Sequence, residues 1–275
     1  MLKTAEKSPE GGAEKTDGII VKKDGAVGWL IFNNPERLNA VSYEMWAAMT
    51  PALNDFAADP AIRSVVLRGA GDKAFVSGAD ISQFEAKRGS ADAVAEYNAT
   101  SARAGAALQH LPKPTIAMIR GYCVGGGVGI ALGCDIRIAS ENSRFAVPAA
   151  KLGLGYAYGG LKRLVDIVGP SFAKEIFYTA RQFTAQEALT MGLVNRVVPE
   201  AELETYVRDY TDRIAANAPL TIKAAKLAAD TAVTNPGKAD IEAVDRAVDV
   251  CFNSEDYKEG RRAFLEKRRP KFVGR

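Results

Sequence analysis

Apolar positions recur along the chain in two rhythms, and the switches between them mark its elements. IIVKKDGAVGWLIFN (19–33) reads as two strands around a turn at Asp24-Gly25. YEMWAAMTPALNDFAAD (43–59) repeats its apolar residues at helical spacing, and Pro51 predicts a bend. SVVLRG (64–69) is a short buried strand, and AFVSGADIS (74–82) reads as an irregular loop. ADAVAEYNATSARAGAALQHL (91–111) predicts a long amphipathic helix. PTIAMIRG (114–121) reads as a strand, GGVGIALG (126–133) as a short helix and DIRIAS (135–140) as another strand. A strand–strand–helix unit repeated with short connections predicts an α/β spiral rather than a doubly wound sheet. From about Gly159 onward the pattern is nearly all helical, with boundaries at Pro219 and Pro236. The division expected is a flexible extension over 1–17, a spiral core over 18–215 and a helical module over 216–275. Exposed apolar faces on such a module would pack on another subunit.

The stretch GYCVGGGVGIALGCDI (121–136) breaks the helical rule, because glycine inside a helix costs stability. It lacks the Gly-Lys-Ser/Thr of a phosphate loop. Gly125 and Gly127 would need a third glycine at Ile130 to fit a dinucleotide fingerprint, and Asp135 comes too soon to meet a ribose. A second reading is a helix N-terminus whose bare amides face negative charge. FVSGADI (75–81) offers a partner: Gly78 permits an unusual turn that would expose the Ala79 N–H. Two amides converging on one oxygen make an oxyanion hole. The competing reading is tight helix–strand packing plus a turn, and composition favours neither.

Charge and composition narrow the chemistry. The net charge is +3, with Lys and Arg interspersed among Asp and Glu, so neither nucleic acid nor an anionic membrane is expected. The longest uncharged run is too short and too rich in glycine to span a bilayer. The N-terminal segment is polar and has no apolar signal core, and the expected location is the cytoplasm. Cys123, Cys134 and Cys251 show no metal spacing and read as reduced, buried thiols. The single histidine, His110, closes a helical pattern where it suits the C-terminal dipole, so a serine–histidine triad and a metal site are not expected.

Several segments, in order, resemble the motifs of the enoyl-CoA hydratase/isomerase, or crotonase, superfamily. They are NNPERLNAVS, AFVSGADIS, IRGYCVGGGVGIALGCDIRIAS, RFAVPAAKLGL, ARQFTAQEALTMGLVNRVVP and FLEKRRPKF. The resemblance covers nearly everything after Gly18. It implies an α/β, crotonase-like ββα spiral core with a C-terminal helical oligomerisation region, assembled as trimers or dimers of trimers. It implies an acyl-CoA thioester as ligand, with coenzyme A present only as part of the substrate and no other cofactor. The amides of Ala79 and Gly126 match the family's oxyanion hole. Arg37 and Leu38, with Ala79, Asp80 and Ile81 nearby, fall where the family binds the nucleotide and pantetheine. Phe264 and Lys267 match positions that reach the adenine end, often from a neighbouring subunit.

Two positions depart from the hydratase pattern. The resemblance places one catalytic glutamate at Gly129 and the other at Ala149, after Pro148. Water addition needs one group to deprotonate water and another to protonate the α-carbon, and neither residue does either. Three readings remain. Loss of CO2 from a malonyl-type thioester, such as methylmalonyl-CoA, forms an enolate without a base. Tyr156 lies where a decarboxylase of the family places a tyrosine near the substrate carboxylate. Alternatively Tyr156, Tyr158, Lys151, Glu85 or Asp80 replaces the glutamates, or the protein binds acyl-CoA as a scaffold without turnover.

Overall fold

The computed structural model describes residues 14–16, 18–80, 91–156, 158–234, 237 and 239–275. Its main sheet grows from a hairpin. Strands β2 (Ile19–Asp24) and β3 (Val27–Phe32) pair antiparallel with Asp24 opposite Val27, and β1 (Glu14–Thr16) adds at the edge. β4 (Ser64–Gly69), β6 (Thr115–Ile119), β8 (Ile136–Ser140) and β11 (Arg196–Val198) then join in parallel. The order is β1-β2-β3-β4-β6-β8-β11. A second sheet runs β10-β9-β7-β5, built from β5 (Ala74–Val76), β7 (Tyr122–Val124), β9 (Arg144–Ala146) and β10 (Phe183–Thr184). β4 is followed by β5, β6 by β7 and β8 by β9, so each turn of the chain lays one strand in each sheet. That is the predicted spiral, with helices α1 (Tyr43–Ala58), α2 (Ala91–Gln109) and α3 (Gly126–Gly133) between turns.

All six residues of β3 are buried, because the strand faces two cores. Leu30 and Phe32 enter the larger core, while Val27, Trp29 and Ile31 enter a second one. A strand's side chains alternate between faces, so a continuously apolar run is what double burial requires. Leu203 and Val207, from helix α6 (Leu203–Ala215), close the second core.

Two local features sharpen the expectations. Helix α1 is capped by Ser42, whose side chain accepts from Met45 N–H, and it passes through Pro51 unbroken. Pro51 and Ala47 both lie on the exposed face, so the carbonyl that loses its donor faces water. AFVSGADIS is not loop throughout: its first three residues are β5. Of the second sheet, β9 and β10 are three- and two-residue strands too short to show a period.

Beyond helices α4 (Tyr158–Thr179), α5 (Ala185–Thr190) and α6, the chain ends in α7 (Pro219–Ala232), α8 (Ile241–Phe252) and α9 (Glu255–Leu265). α8 buries no residue, and Ile241, Val250, Phe252, Phe264 and Leu265 are exposed. The tail folds back on α9. The buried carboxylate of Asp256 accepts from the backbone of Val273 (2.6 Å) and Gly274 (2.9 Å). Glu259 accepts from Lys271 N–H at 3.0 Å and pairs with Arg262 and Arg268, whose hydrogen bonds hold its carboxyl well below the usual range. No described helix is long and apolar enough to cross a membrane.

Candidate active site

The glycine stretch turns a strand into a helix at one point. β7 leads into Gly125, whose φ of 54° and ψ of −112° favour glycine, and α3 begins at Gly126. Gly125 N–H donates to the Ala146 carbonyl at 2.8 Å, anchoring the turn to β9. Gly127 answers the packing reading: a methyl group there would overlap the Val76 carbonyl, so only glycine lets α3 lie on β5. Gly126 faces a different neighbour. The place where its Cβ would stand is 3.7 Å from the Ala79 nitrogen. The packing reading thus holds at Gly127, and the adjacent Gly126 stands beside the Ala79 amide.

The loop facing Gly126 is pinned from its other side. Ser77 N–H donates to the Leu38 carbonyl (3.1 Å), Val41 N–H to the Gly78 carbonyl (2.8 Å) and Asp80 N–H to the Val41 carbonyl (2.9 Å). These bonds make Val41 and Ala79 an isolated parallel bridge, with Gly78 at φ 114°. In a parallel bridge the Ala79 N–H points away from Val41. Among the described residues, neither that N–H nor the Gly126 N–H has a protein acceptor. Sequence reasoning missed Asn39, whose side chain bonds the backbone of Asn34, Ala70 and Ala74 nearby; its left-handed backbone (φ 56°) and complete burial are invisible in a pattern of apolar positions.

The remaining predicted residues divide by location. Arg37 bonds both carboxylate oxygens of Asp80 at 3.1 and 3.0 Å, and half-buried Leu38 sits between this pair and the pinned loop at φ 52°. Ile81 and Glu85 lie outside the described residues. No atom stands within 4 Å of where a Gly129 side chain would begin, and Gly129 is exposed. Ala149 is buried on the helical turn Pro148–Leu152, next to exposed Lys151. Tyr156 is 40% exposed and packs edge-on against Phe177, with ring centroids 4.8 Å apart; partial desolvation raises its phenol above the ordinary value of 10.0. Tyr158 opens α4 and is exposed. Phe264 and Lys267 stand exposed at the end of α9, with no hydrogen bond or ion pair to the loops at 37–41 or 77–80.

Other candidates fall away on their surroundings. Burial raises the thiols of Cys123 and Cys134, the latter to about 12, so both stay protonated and unreactive; Cys251 is only half-buried. His110 follows the last turn of α2 and is exposed. Among the described residues, no cluster of three His, Cys, Asp or Glu side chains is placed to hold a metal.

Residues 22–275 match the enoyl-CoA hydratase/isomerase family. The chain belongs to this family. It is 36% identical over 253 residues to the short-chain-enoyl-CoA hydratase of Clostridium acetobutylicum, covering 92% of this chain and 96% of that one. It is 34% identical over 259 residues to the crotonyl-CoA hydratase of Syntrophomonas wolfei, covering 94% of this chain and 99% of that one. Among solved structures, an enoyl-CoA hydratase/carnithine racemase from Magnetospirillum magneticum superposes with a TM-score of 0.88 at 36% identity, covering 95% of this chain and 97% of that one. The mixed α/β spiral is thus the architecture of this enoyl-CoA hydratase/isomerase family member as well as of its relatives.

Proposed function

We propose that this protein is an acyl-CoA enzyme that stabilises a thioester enolate between the Ala79 and Gly126 amides. The observation that carries the reading is the adjacency of two backbone N–H groups without protein acceptors, one of them at a helix N-terminus. Each would donate to the thioester oxygen, and the dipole of α3 would add to the stabilisation as charge develops there. Arg37, Leu38, Asp80 and Ile81 would line the path of the coenzyme A moiety, which enters as part of the substrate. Phe264 and Lys267 would meet its adenine end in a neighbouring subunit of a trimer or dimer of trimers; their exposure supports this.

The relatives' names favour hydration, whereas Gly129 and Ala149 favour a reaction that needs no protein base. The reaction we assign is decarboxylation of a malonyl-type thioester. The bond from the α-carbon to the carboxylate breaks, its electron pair enters the enolate, and CO2 leaves. A solvent proton then completes the α-carbon. Tyr156, a neutral phenol in the physiological range, would donate a hydrogen bond to the departing carboxylate. A second reading, acyl-CoA binding without turnover, draws support from the edge-on packing of Tyr156 on Phe177, which gives that ring a structural role.

Incubation with methylmalonyl-CoA tests the assignment: CO2 release is expected, with little hydration of crotonyl-CoA. Fast hydration would overturn the reading of Gly129 and Ala149. Binding of both thioesters without CO2 release from methylmalonyl-CoA or malonyl-CoA would leave the scaffold reading in its place.

A further inference from the structure

One buried side chain joins three segments behind the Ala79 loop. Asn39 is 0% exposed. Its Oδ1 accepts from Asn34 N–H at 3.0 Å, and its Nδ2 donates to the carbonyls of Ala70 (2.9 Å) and Ala74 (2.8 Å). These three bonds use one lone pair and both amide hydrogens, so the orientation of the amide is fixed by its partners. Gly69 makes room for it: a methyl group there would overlap both the Ala74 carbonyl and Asn39 Nδ2. The backbone at this point is left-handed at two successive residues, Leu38 and Asn39, a conformation asparagine tolerates better than most side chains.

This clamp sits among the residues that hold the Ala79 loop. Leu38 supplies the carbonyl for Ser77 N–H, Val41 supplies a donor for Gly78 and an acceptor for Asp80, and Arg37 supplies the carbonyl for the Ser77 hydroxyl at 3.3 Å. Ala74, whose carbonyl Asn39 holds, begins the strand that runs into this same loop. Both walls of the loop are therefore tied to one amide.

We infer that Asn39 is the positioning residue of the oxyanion hole, setting where the Ala79 N–H points before substrate arrives. The inference rests on the reading that this N–H meets the thioester oxygen. Asn39→Asp is the informative variant. It keeps the acceptor for Asn34 N–H and the side-chain shape, but turns an oxygen toward two carbonyl oxygens and pushes the walls apart.

The readout is the infrared stretch of butyryl-CoA carrying carbon-13 at the thioester carbonyl, bound to the full-length protein. Wild type is expected to lower the frequency relative to free ligand. Asn39→Asp is expected to lose at least about half of that shift, with butyryl-CoA affinity changed less than about threefold and CO2 release from methylmalonyl-CoA lowered about tenfold or more. A full shift in Asn39→Asp overturns the inference while leaving the oxyanion reading intact. No shift in wild type overturns the oxyanion reading itself, and this inference with it. Should Asn39→Asp fail to fold, hydrogen exchange on wild type decides. Without ligand, the amides of Val41, Ser77 and Asp80 should exchange slowly and that of Ala79 fast, with butyryl-CoA protecting only the last. Protection of Val41, Ser77 and Asp80 that appears only with butyryl-CoA would mean the ligand organises the loop, and the inference fails.

Discussion

Three glycines in a row carry three different physical demands, and substitution should separate them. Gly125 supplies a backbone angle, Gly127 supplies contact with Val76, and Gly126 leaves space in front of Ala79. Gly127→Ala should destabilise by about 1–3 kcal/mol through overpacking, read as a fall in the denaturation midpoint. Gly129→Glu should leave the midpoint nearly unchanged, since its side chain meets nothing within 4 Å. If Gly129 is the position that removes hydration, the double variant Gly129→Glu with Ala149→Glu should gain measurable crotonyl-CoA hydration over wild type. For Tyr156, burial raises the pKa above 10.0, so the phenol remains protonated throughout the neutral range. A decarboxylation rate that uses it should be flat with pH up to about 10 and fall only above that. Tyr156→Phe should slow CO2 release about tenfold or more, measured at saturating methylmalonyl-CoA. At this scale the sequence showed which glycines were out of place but not which neighbour each one met. That information lies in Val76 and Ala79, some fifty residues away along the chain.

Elements were legible in proportion to their length. The spacing over 91–111 foretold α2, and the apolar run at 64–69 foretold β4, because each spans enough residues to show a rhythm. β9, β10 and the bridge at Ala79 were hidden, since two or three residues carry no period and their partners are distant. Pro51 is accommodated within α1 because its cost depends on which face of the helix carries it, and that face is set by Met49 and Leu53 being buried. The cap on this helix gives a test of local against tertiary stabilisation. Ser42→Ala removes the acceptor for Met45 N–H and should cost about 1 kcal/mol, detectable by urea denaturation. The C-terminal clasp gives a pH test. Arg268 and Arg262 lower the folded pKa of Glu259, so its stabilising effect is fully present above the ordinary carboxylate value of 4.5 and is lost as pH falls through the lowered one. Residues 271–275 should resist carboxypeptidase at neutral pH and become susceptible only well below pH 4.5.

Across the whole molecule, the exposed apolar residues of α8 and α9 suit contact with further copies of the chain. Phe252→Asp should therefore lower the sedimentation coefficient toward that of a monomer. The spiral itself was readable because its strand–strand–helix unit recurs, whereas the pairing of two separate sheets follows from connections that local patterning does not encode. β3 adds a property that belongs to neither sheet alone. Its residues feed two apolar clusters on opposite faces, and the chain has a tryptophan reporting on each: Trp29 lies in one cluster, and Trp46 packs against the other. A strand shared in this way couples their melting, because losing either cluster strips half the burial from β3. Trp46→Phe leaves Trp29 as the sole indole fluorophore. Its fluorescence melt should coincide with the loss of far-ultraviolet circular dichroism, the signature of one cooperative unit rather than two.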